Sequence, residues 1–251
     1  MRPQSASTDH MSAEDSHPGR EAFSPPGEPL PRLNHATLQE QVYQQVRGAI
    51  RAGRVASGET VTIRGLASML GTSAMPVREA MRRLVQENVL EVLPNNRTRV
   101  LALSPQRFTE LIDIRVVLEG HAAFLAAQHS TEADFIAIKT ANEELGRAAD
   151  ARDALAANAA NERFHFAVYR AGGSSMLLSV IDGLWQQTGP YLAHLVRNMV
   201  ATGELATVGM VHHFELLAAL GARDAEAARR AIATDIAHSA RWFTENGSLK
   251  P

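Results

Sequence analysis

Gly71–Thr72–Ser73–Ala74–Met75–Pro76–Val77–Arg78–Glu79–Ala80–Met81–Arg82–Arg83–Leu84 reads as the turn and second helix of a helix-turn-helix. A glycine lets the turn adopt a left-handed backbone, and Thr72 or Ser73 can cap the helix that follows. Pro76 falls in the first helical turn, where a missing N–H has no intrahelical partner to lose. Val77, Met81, Leu84 and Val85 share one face, while Arg78, Arg82 and Arg83 project elsewhere. A solvated arginine face is the ordinary alternative for such a helix, so its surroundings must decide.

Upstream, Leu38, Val42, Val46, Ala49 and Ile50 form a helical stripe that ends at Arg51–Ala52–Gly53–Arg54 and the turn Ala56–Ser57–Gly58–Glu59. Thr62 then caps a short helix, Ile63–Leu70, with Leu66, Ala67 and Leu70 facing inward and Arg64 in its first turn. Downstream, Val89–Leu93 and Arg99–Leu103 are strand-like runs joined by Pro94–Asn95–Asn96–Arg97–Thr98, which has the chemistry of a hairpin turn. Three helices and a hairpin make a winged helix, expected over residues 36–103.

This region resembles the DNA-binding domain of GntR-type bacterial regulators. The matching residues are Val42–Tyr43, Ile50, Gly53, Ser57–Gly58–Glu59, Leu66–Ala67, Leu70–Gly71, Pro76–Val77–Arg78–Glu79–Ala80, Arg83–Leu84 and Pro94–Asn95. The resemblance implies base-edge contacts from Ser73 and Met75, and phosphate or groove contacts from Arg64, Arg78, Asn95, Asn96 and Arg97. Such families usually carry arginine at the position of Ala74 and glycine at that of Arg97. Ala74 therefore removes one potential guanine contact and Arg97 adds a charge near the groove.

Charge is distributed to suit this reading. Residues 36–103 hold nine Arg against five acids, whereas residues 104–251 hold thirteen basic and seventeen acidic residues. The positive segment is the one proposed to meet phosphate, where it supplies salt-sensitive, sequence-independent affinity. With 251 residues and 45% hydrophobic content the chain can bury one large or two modest cores. The absence of cysteine excludes disulfides and thiolate-ligated zinc. No apolar run approaches about 18 residues and no leader pattern is visible, so a cytoplasmic protein without a membrane partner is expected. Residues 1–35, rich in proline, read as a disordered tail.

From Ser104 to about residue 247 the pattern is helical, opening with Ser104–Pro105 as cap and first-turn proline. Helices are expected at about 105–128, 131–149, 152–171, 174–199, 204–220 and 224–245. The fold class is thus mostly α: an N-terminal winged helix-turn-helix and a C-terminal all-α bundle of about six helices. Arg115 lies on the stripe Leu111, Ile114, Leu118, Ala122, Leu125, so it requires an anionic partner: Glu119 at i+4, another internal acid, or a ligand carboxylate or phosphate. Asn161 and His165 share a helix face, His213 shares one with Leu216, Leu217 and Leu220, and Asp235 lies beside Ile232 and Ile236. An inward histidine is ordinarily a hydrogen-bonded core residue. Four polar groups converging in a bundle would instead make a metal or ligand site.

The segments Phe108–Glu119 and Asn161–His165 resemble the FCD effector domain of the FadR branch of GntR regulators. Many such domains hold a divalent metal with an Asp and three His, and the metal helps bind a small carboxylate effector. By motif position the ligands here are Asn161, His165, His213 and Asp235, with His238 as the alternative to Asp235. Two imidazoles and oxygen donors are compatible with one Zn²⁺, Ni²⁺ or Mn²⁺ per chain, with Arg115 binding the effector. The function implied is a homodimeric, ligand-responsive transcriptional regulator, a repressor released from its double-stranded DNA operator by a small organic acid. The competing classes are a constitutive DNA-binding dimer and a metal-dependent enzyme, and no clear nucleophile or acid–base pair supports the latter.

Overall fold

The computed structural model describes residues 38–95 and 97–245, so the expected tail and Asn96 lie outside the described residues. The head begins with α1 (Leu38–Arg51), followed by β1 (Thr60–Val61), α2 (Ile63–Met69), α3 (Ala74–Gln86), β2 (Leu90–Val92) and β3 (Thr98–Val100). Val42, Val46, Ile50, Leu66, Val77, Met81, Leu84 and Leu90 form its buried core. Gly71 adopts φ 61°, the left-handed turn expected between α2 and α3. Thr62 caps α2 by accepting from the Gly65 amide at 3.1 Å. Ser73 occupies the cap position of α3 but makes no side-chain cap bond, which leaves its hydroxyl available at an exposed helix start.

The sheet corrects the sequence reading at two places. Thr60–Val61, to which the sequence reading assigned no element between the turn ending at Glu59 and the cap at Thr62, pairs with Thr98–Arg99 as a third antiparallel strand, so β3 is central. The run Arg99–Leu103 leaves the sheet after Val100, and Leu103 is buried in the core of the bundle. A two-residue strand carries too little periodicity to be read from sequence.

The bundle comprises α4 (Pro105–His129), α5 (Glu132–Asp150), α6 (Ala154–Ala171), α7 (Ser175–Thr202), α8 (Val211–Gly221) and α9 (Ala225–Glu245). The helix expected over 204–220 is divided, since Leu205–Gly209 forms a π-helical turn before α8. Helix α4 packs on α6, α7 and α9, and α5 packs on α6, around a core that includes Phe108, Phe164, Tyr169, Trp185, Leu216 and Ile232. Helix α7 continues through Pro190, whose ring nitrogen cannot donate to the Gln186 carbonyl.

Helix α1 packs against both α3 and α7. At Gly189 the two backbones approach so closely that a Cβ would meet the Arg51 carbonyl oxygen at 2.8 Å, so only glycine fits. Arg51 gives Nη1 to Asp182 at 2.6 Å and Nη2 to Glu162 at 2.9 Å, while Arg47 also pairs with Asp182. The Gln186 amide donates to the Arg47 carbonyl at 2.9 Å. Opposite faces of α7 therefore serve the head and the bundle interior.

Candidate functional site

In the head, the chemistry lies in which arginines are already partnered. Arg83 bonds to Glu40 and Glu87, and its guanidinium sits 3.6 Å from the Tyr43 ring centroid. It therefore fastens α3 to α1. Arg82 pairs with Glu79 at 2.9 Å. Arg64, Arg78 and Arg97 are exposed and have no ion pair among the described residues. Met75 is 71% exposed at the start of α3, next to exposed Ser73. Asn95 accepts the Arg97 amide at 3.1 Å and so shapes the tip of the wing. Every described residue expected to meet DNA is thus exposed, on α2, α3 or the wing.

The bundle encloses a cavity of about 170 Å³. Apolar side chains including Phe108, Ile112, Leu195, Val196, Met199 and Phe243 form most of its wall, and its polar part contains Arg115, Asn161, His165, His213, Asp235 and His238. His165 on α6, His213 on α8 and Asp235 on α9 bring one ligand atom each within 4.8 Å of one another. The His165 Nε2 lies 3.6 Å, and the His213 Nε2 3.8 Å, from the two Asp235 carboxylate oxygens. Half-buried Asn161 lines the same cavity one helical turn before His165. His238 also lines the cavity, but it stacks edge-on against His212 and stands outside the three-residue cluster.

Partners behind the histidines fix which nitrogen faces the cavity. His213 Nδ1 lies 3.0 Å from the Asn142 Oδ1, so the ring donates there and presents an unprotonated Nε2. Tyr169 donates its hydroxyl hydrogen to Glu119, and its oxygen accepts from His165 Nδ1 at 3.1 Å. The His165 Nε2 is again a free acceptor. Burial, reinforced by His213, holds the His165 pKa well below the usual histidine range, and burial lowers that of His213 to about 3. Burial raises the Asp235 carboxyl to about 7, against the opposing effects of His212 and Arg115. Two neutral imidazoles and a destabilised carboxylate directed at one point fit a divalent cation, with the outer hydrogen bonds that metal-binding histidines use.

Arg115 lines this cavity, but its charge is matched. Nε and Nη2 donate to the Glu119 carboxylate at 2.6 and 3.2 Å, and both residues are almost fully buried. Burial opposes the charged guanidinium, yet Glu119 outweighs it and raises the Arg115 pKa. Glu119 also accepts from Tyr169 and, at 3.0 Å, from the Trp185 indole N–H. Of the partners weighed for Arg115 from sequence, Glu119 is the one in place. Sequence reading missed Asn142, Tyr169 and Trp185. Tyr169 carried a signal, since it follows His165 at i+4, whereas Asn142 and Trp185 come from other helices.

Comparison with known proteins agrees with this architecture. Residues 38–100 match the family described as bacterial regulatory proteins, gntR family, and residues 110–238 match the FCD domain. The HTH-type transcriptional regulator McbR of Escherichia coli (strain K12) is 31% identical over 202 residues, which cover 80% of this chain and 90% of that protein. The solved structure of E. coli McbR superposes with a TM-score of 0.77 at 29% identity, covering 84% of this chain and 99% of that one. A Paenarthrobacter nicotinovorans protein named "Probable D-xylose utilization operon transcriptional repressor" is 31% identical, covering 82% of this chain and 88% of its own. Among the described residues, no helix is long and apolar enough to cross a membrane. With a GntR head whose α3 keeps Arg78 exposed and without an ion pair among the described residues, and an FCD bundle built around a polar-ended cavity, the chain belongs to the GntR family of DNA-binding, ligand-responsive transcriptional regulators.

Proposed function

We propose that this regulator is a homodimeric repressor whose FCD cavity takes one divalent metal, Zn²⁺, Ni²⁺ or Mn²⁺, on His165, His213 and Asp235 with Asn161 beside them, and through it a small organic acid. The observation that carries the reading is the convergence of two Nε2 acceptors and one carboxylate, each imidazole fixed from behind by Asn142 or Tyr169. Charge balance adds support. Arg115 is neutralised by Glu119 and both histidines are neutral, while Asp235 and Glu204 add acid to the cavity wall. A divalent cation would supply the positive charge that an entering carboxylate needs.

Arg64, Arg78 and Arg97 would contact phosphates or groove edges, Ser73 and Met75 base edges, with Asn95 and Asn96 at the wing. A single winged helix reads few base pairs, so two copies on a pseudo-palindrome are expected. Helices α4 and α7, which pack together, leave Ile114 and Val117, and Met176 and Val180, substantially exposed. Such apolar faces suit a partner copy. Effector entry would favour head positions that fit the operator poorly, with reciprocal coupling between effector and operator. The relative from P. nicotinovorans, named as a repressor, supports that sign.

Mass-spectrometric metal analysis tests the site. His165→Ala and His213→Ala should each lose most bound metal, Asp235→Ala should reduce occupancy, and His238→Ala should retain it. Full occupancy in both histidine variants would overturn the metal site. Light scattering that shows only monomer, with and without operator, would overturn the dimer.

A further inference from the structure

Tyr191, on α7, lines the cavity with its ring and reaches the DNA-binding head with its hydroxyl. Its ring packs between Phe108, at a centroid distance of 5.6 Å, and Phe243, at 6.0 Å, and those two rings lie 5.5 Å apart. Phe243 belongs to α9, two turns beyond Asp235, so the aromatic trio abuts the helix that carries the candidate carboxylate ligand.

The hydroxyl takes part in a hydrogen-bond chain whose direction can be deduced. The Leu103 amide, in the segment joining head to bundle, donates to the Tyr191 oxygen at 2.6 Å. The Ser57 hydroxyl, in the loop after α1, donates to the Leu101 carbonyl at 3.2 Å. Ser57 Oγ is therefore the acceptor for the Tyr191 O–H, 2.9 Å away. The chain runs from Leu103 N–H through Tyr191 and Ser57 to the Leu101 carbonyl, and aligned donors of this kind polarise one another. One side chain thus touches the cavity, the connecting segment and the head, with no intermediary.

We infer that Tyr191 is the positioning residue that couples occupancy of the cavity to the placement of the DNA-binding head. The inference rests on the cavity being a metal and effector site. Were His165, His213 and Asp235 drawn together on a cation, α9 would move with Asp235, Phe243 would shift against Tyr191, and the hydroxyl would carry that shift to Ser57 and Leu103. Phe243 meets both Phe108 and Tyr191 edge-on, so a shift of its ring is passed directly to theirs.

The chain contains no cysteine, so a spin-label pair can be introduced at exposed Met69 in the head and exposed Leu155 in the bundle as Met69→Cys and Leu155→Cys. The full-length labelled protein, diluted with unlabelled chain, is measured by pulsed dipolar spectroscopy with and without Zn²⁺, and zinc binding is followed separately by calorimetry. In the labelled parent, zinc should shift the distance distribution. Tyr191→Phe keeps the ring and deletes the hydroxyl, so it should still bind zinc with the parent's stoichiometry yet lose most of the shift. Ser57→Ala leaves the Tyr191–Leu103 bond in place and should lose part of it. Should Tyr191→Phe fail to fold, with the buried Leu103 N–H unpartnered, Ser57→Ala carries the test alone. Zinc that binds but shifts nothing in the parent, or shifts the variants as fully as the parent, overturns the coupling role. Zinc that fails to bind the parent overturns the metal-site reading, and the coupling falls with it.

Discussion

Arg78 in the head and Arg115 in the bundle carry the same guanidinium into opposite surroundings. Arg78 is exposed and has no ion pair among the described residues, whereas Arg115 is 2% exposed and gives two hydrogen bonds to Glu119. A cation left in water keeps its charge available for a phosphate at little cost to the fold. A cation taken out of water must have its charge balanced internally before the fold is stable. The two domains accordingly place guanidinium groups differently: the head leaves Arg78 in water, whereas the bundle matches buried Arg115 with Glu119 and lines the same cavity with two neutral imidazoles and the Asp235 carboxylate.

The largest expected effect tests the buried half of this comparison. Glu119→Ala removes the partner of Arg115 and also strands the Tyr169 hydroxyl and the Trp185 N–H. Breaking a buried ion pair from one side costs about 3–5 kcal/mol. Urea unfolding should show a loss of that order, whereas Arg78→Ala should unfold at the parent midpoint. An unchanged midpoint for Glu119→Ala would mean that Arg115 is not held by that carboxylate.

The exposed half predicts a smaller effect on a different observable. Arg78→Ala should weaken operator binding by about 1.5–3 kcal/mol, the scale of one lost charge-assisted hydrogen bond, with helical content and dimerisation intact. Arg82→Ala should do less, because Arg82 is already engaged by Glu79. Equal operator affinity for the parent and Arg78→Ala at moderate salt would remove Arg78 from the interface.

Between these extremes lies the seam, where Asp182 on α7 pairs with Arg47 and Arg51 of α1. Burial pushes the Asp182 pKa up, but hydrogen bonds from Arg51 and Arg47 outweigh it and leave the value below the usual range. A carboxylate lowered in the folded state contributes stability that is present above its unfolded pKa and lost as pH falls through the lowered folded value. Because the Asp182 side chain keeps 34% of its surface in solvent, screening holds these contacts to about 1 kcal/mol. Asp182→Asn should remove that amount at neutral pH and nothing once the pH has fallen below the lowered folded value and the parent carboxylate is protonated. A stability difference that persists undiminished in strong acid would assign Asp182 a packing role instead of an ionic one.

The sequence showed most of the head because its signals are local. Gly71, the cap at Thr62 and the stripe Val77–Met81–Leu84 each act within a turn or two of chain, and each stands where periodicity put it. His165, His213 and Asp235 were nameable through family resemblance, but their convergence depends on how α6, α8 and α9 pack. Arg115 was legible as a residue in need of an anion, and its i+4 neighbour Glu119 supplies one. Trp185, Asn142 and Tyr191 were not legible. Their roles arise from contacts across 66, 71 and 134 residues of chain, to Glu119, His213 and Ser57, and no helical period encodes those. The strand Thr60–Val61 escaped for a related reason, since it is defined by its pairing with Thr98–Arg99 more than by its own residues.

The smallest effect expected is at the wing, and it sharpens the comparison most finely. Arg97 is exposed, with no ion pair among the described residues, and its amide is held by Asn95 at the tip of the β2–β3 hairpin. Arg97→Gly deletes one cation without opening a cavity or stranding a buried partner, so unfolding midpoints should not move. If Arg97 neutralises a phosphate, the slope of log affinity against log salt should become shallower by about 0.9, one contact's worth of counterion release. Affinity should then fall at low salt and converge on the parent's as salt rises. An unchanged slope with altered operator preference would place Arg97 against base edges in the groove, and no change in either would leave it a solvated charge.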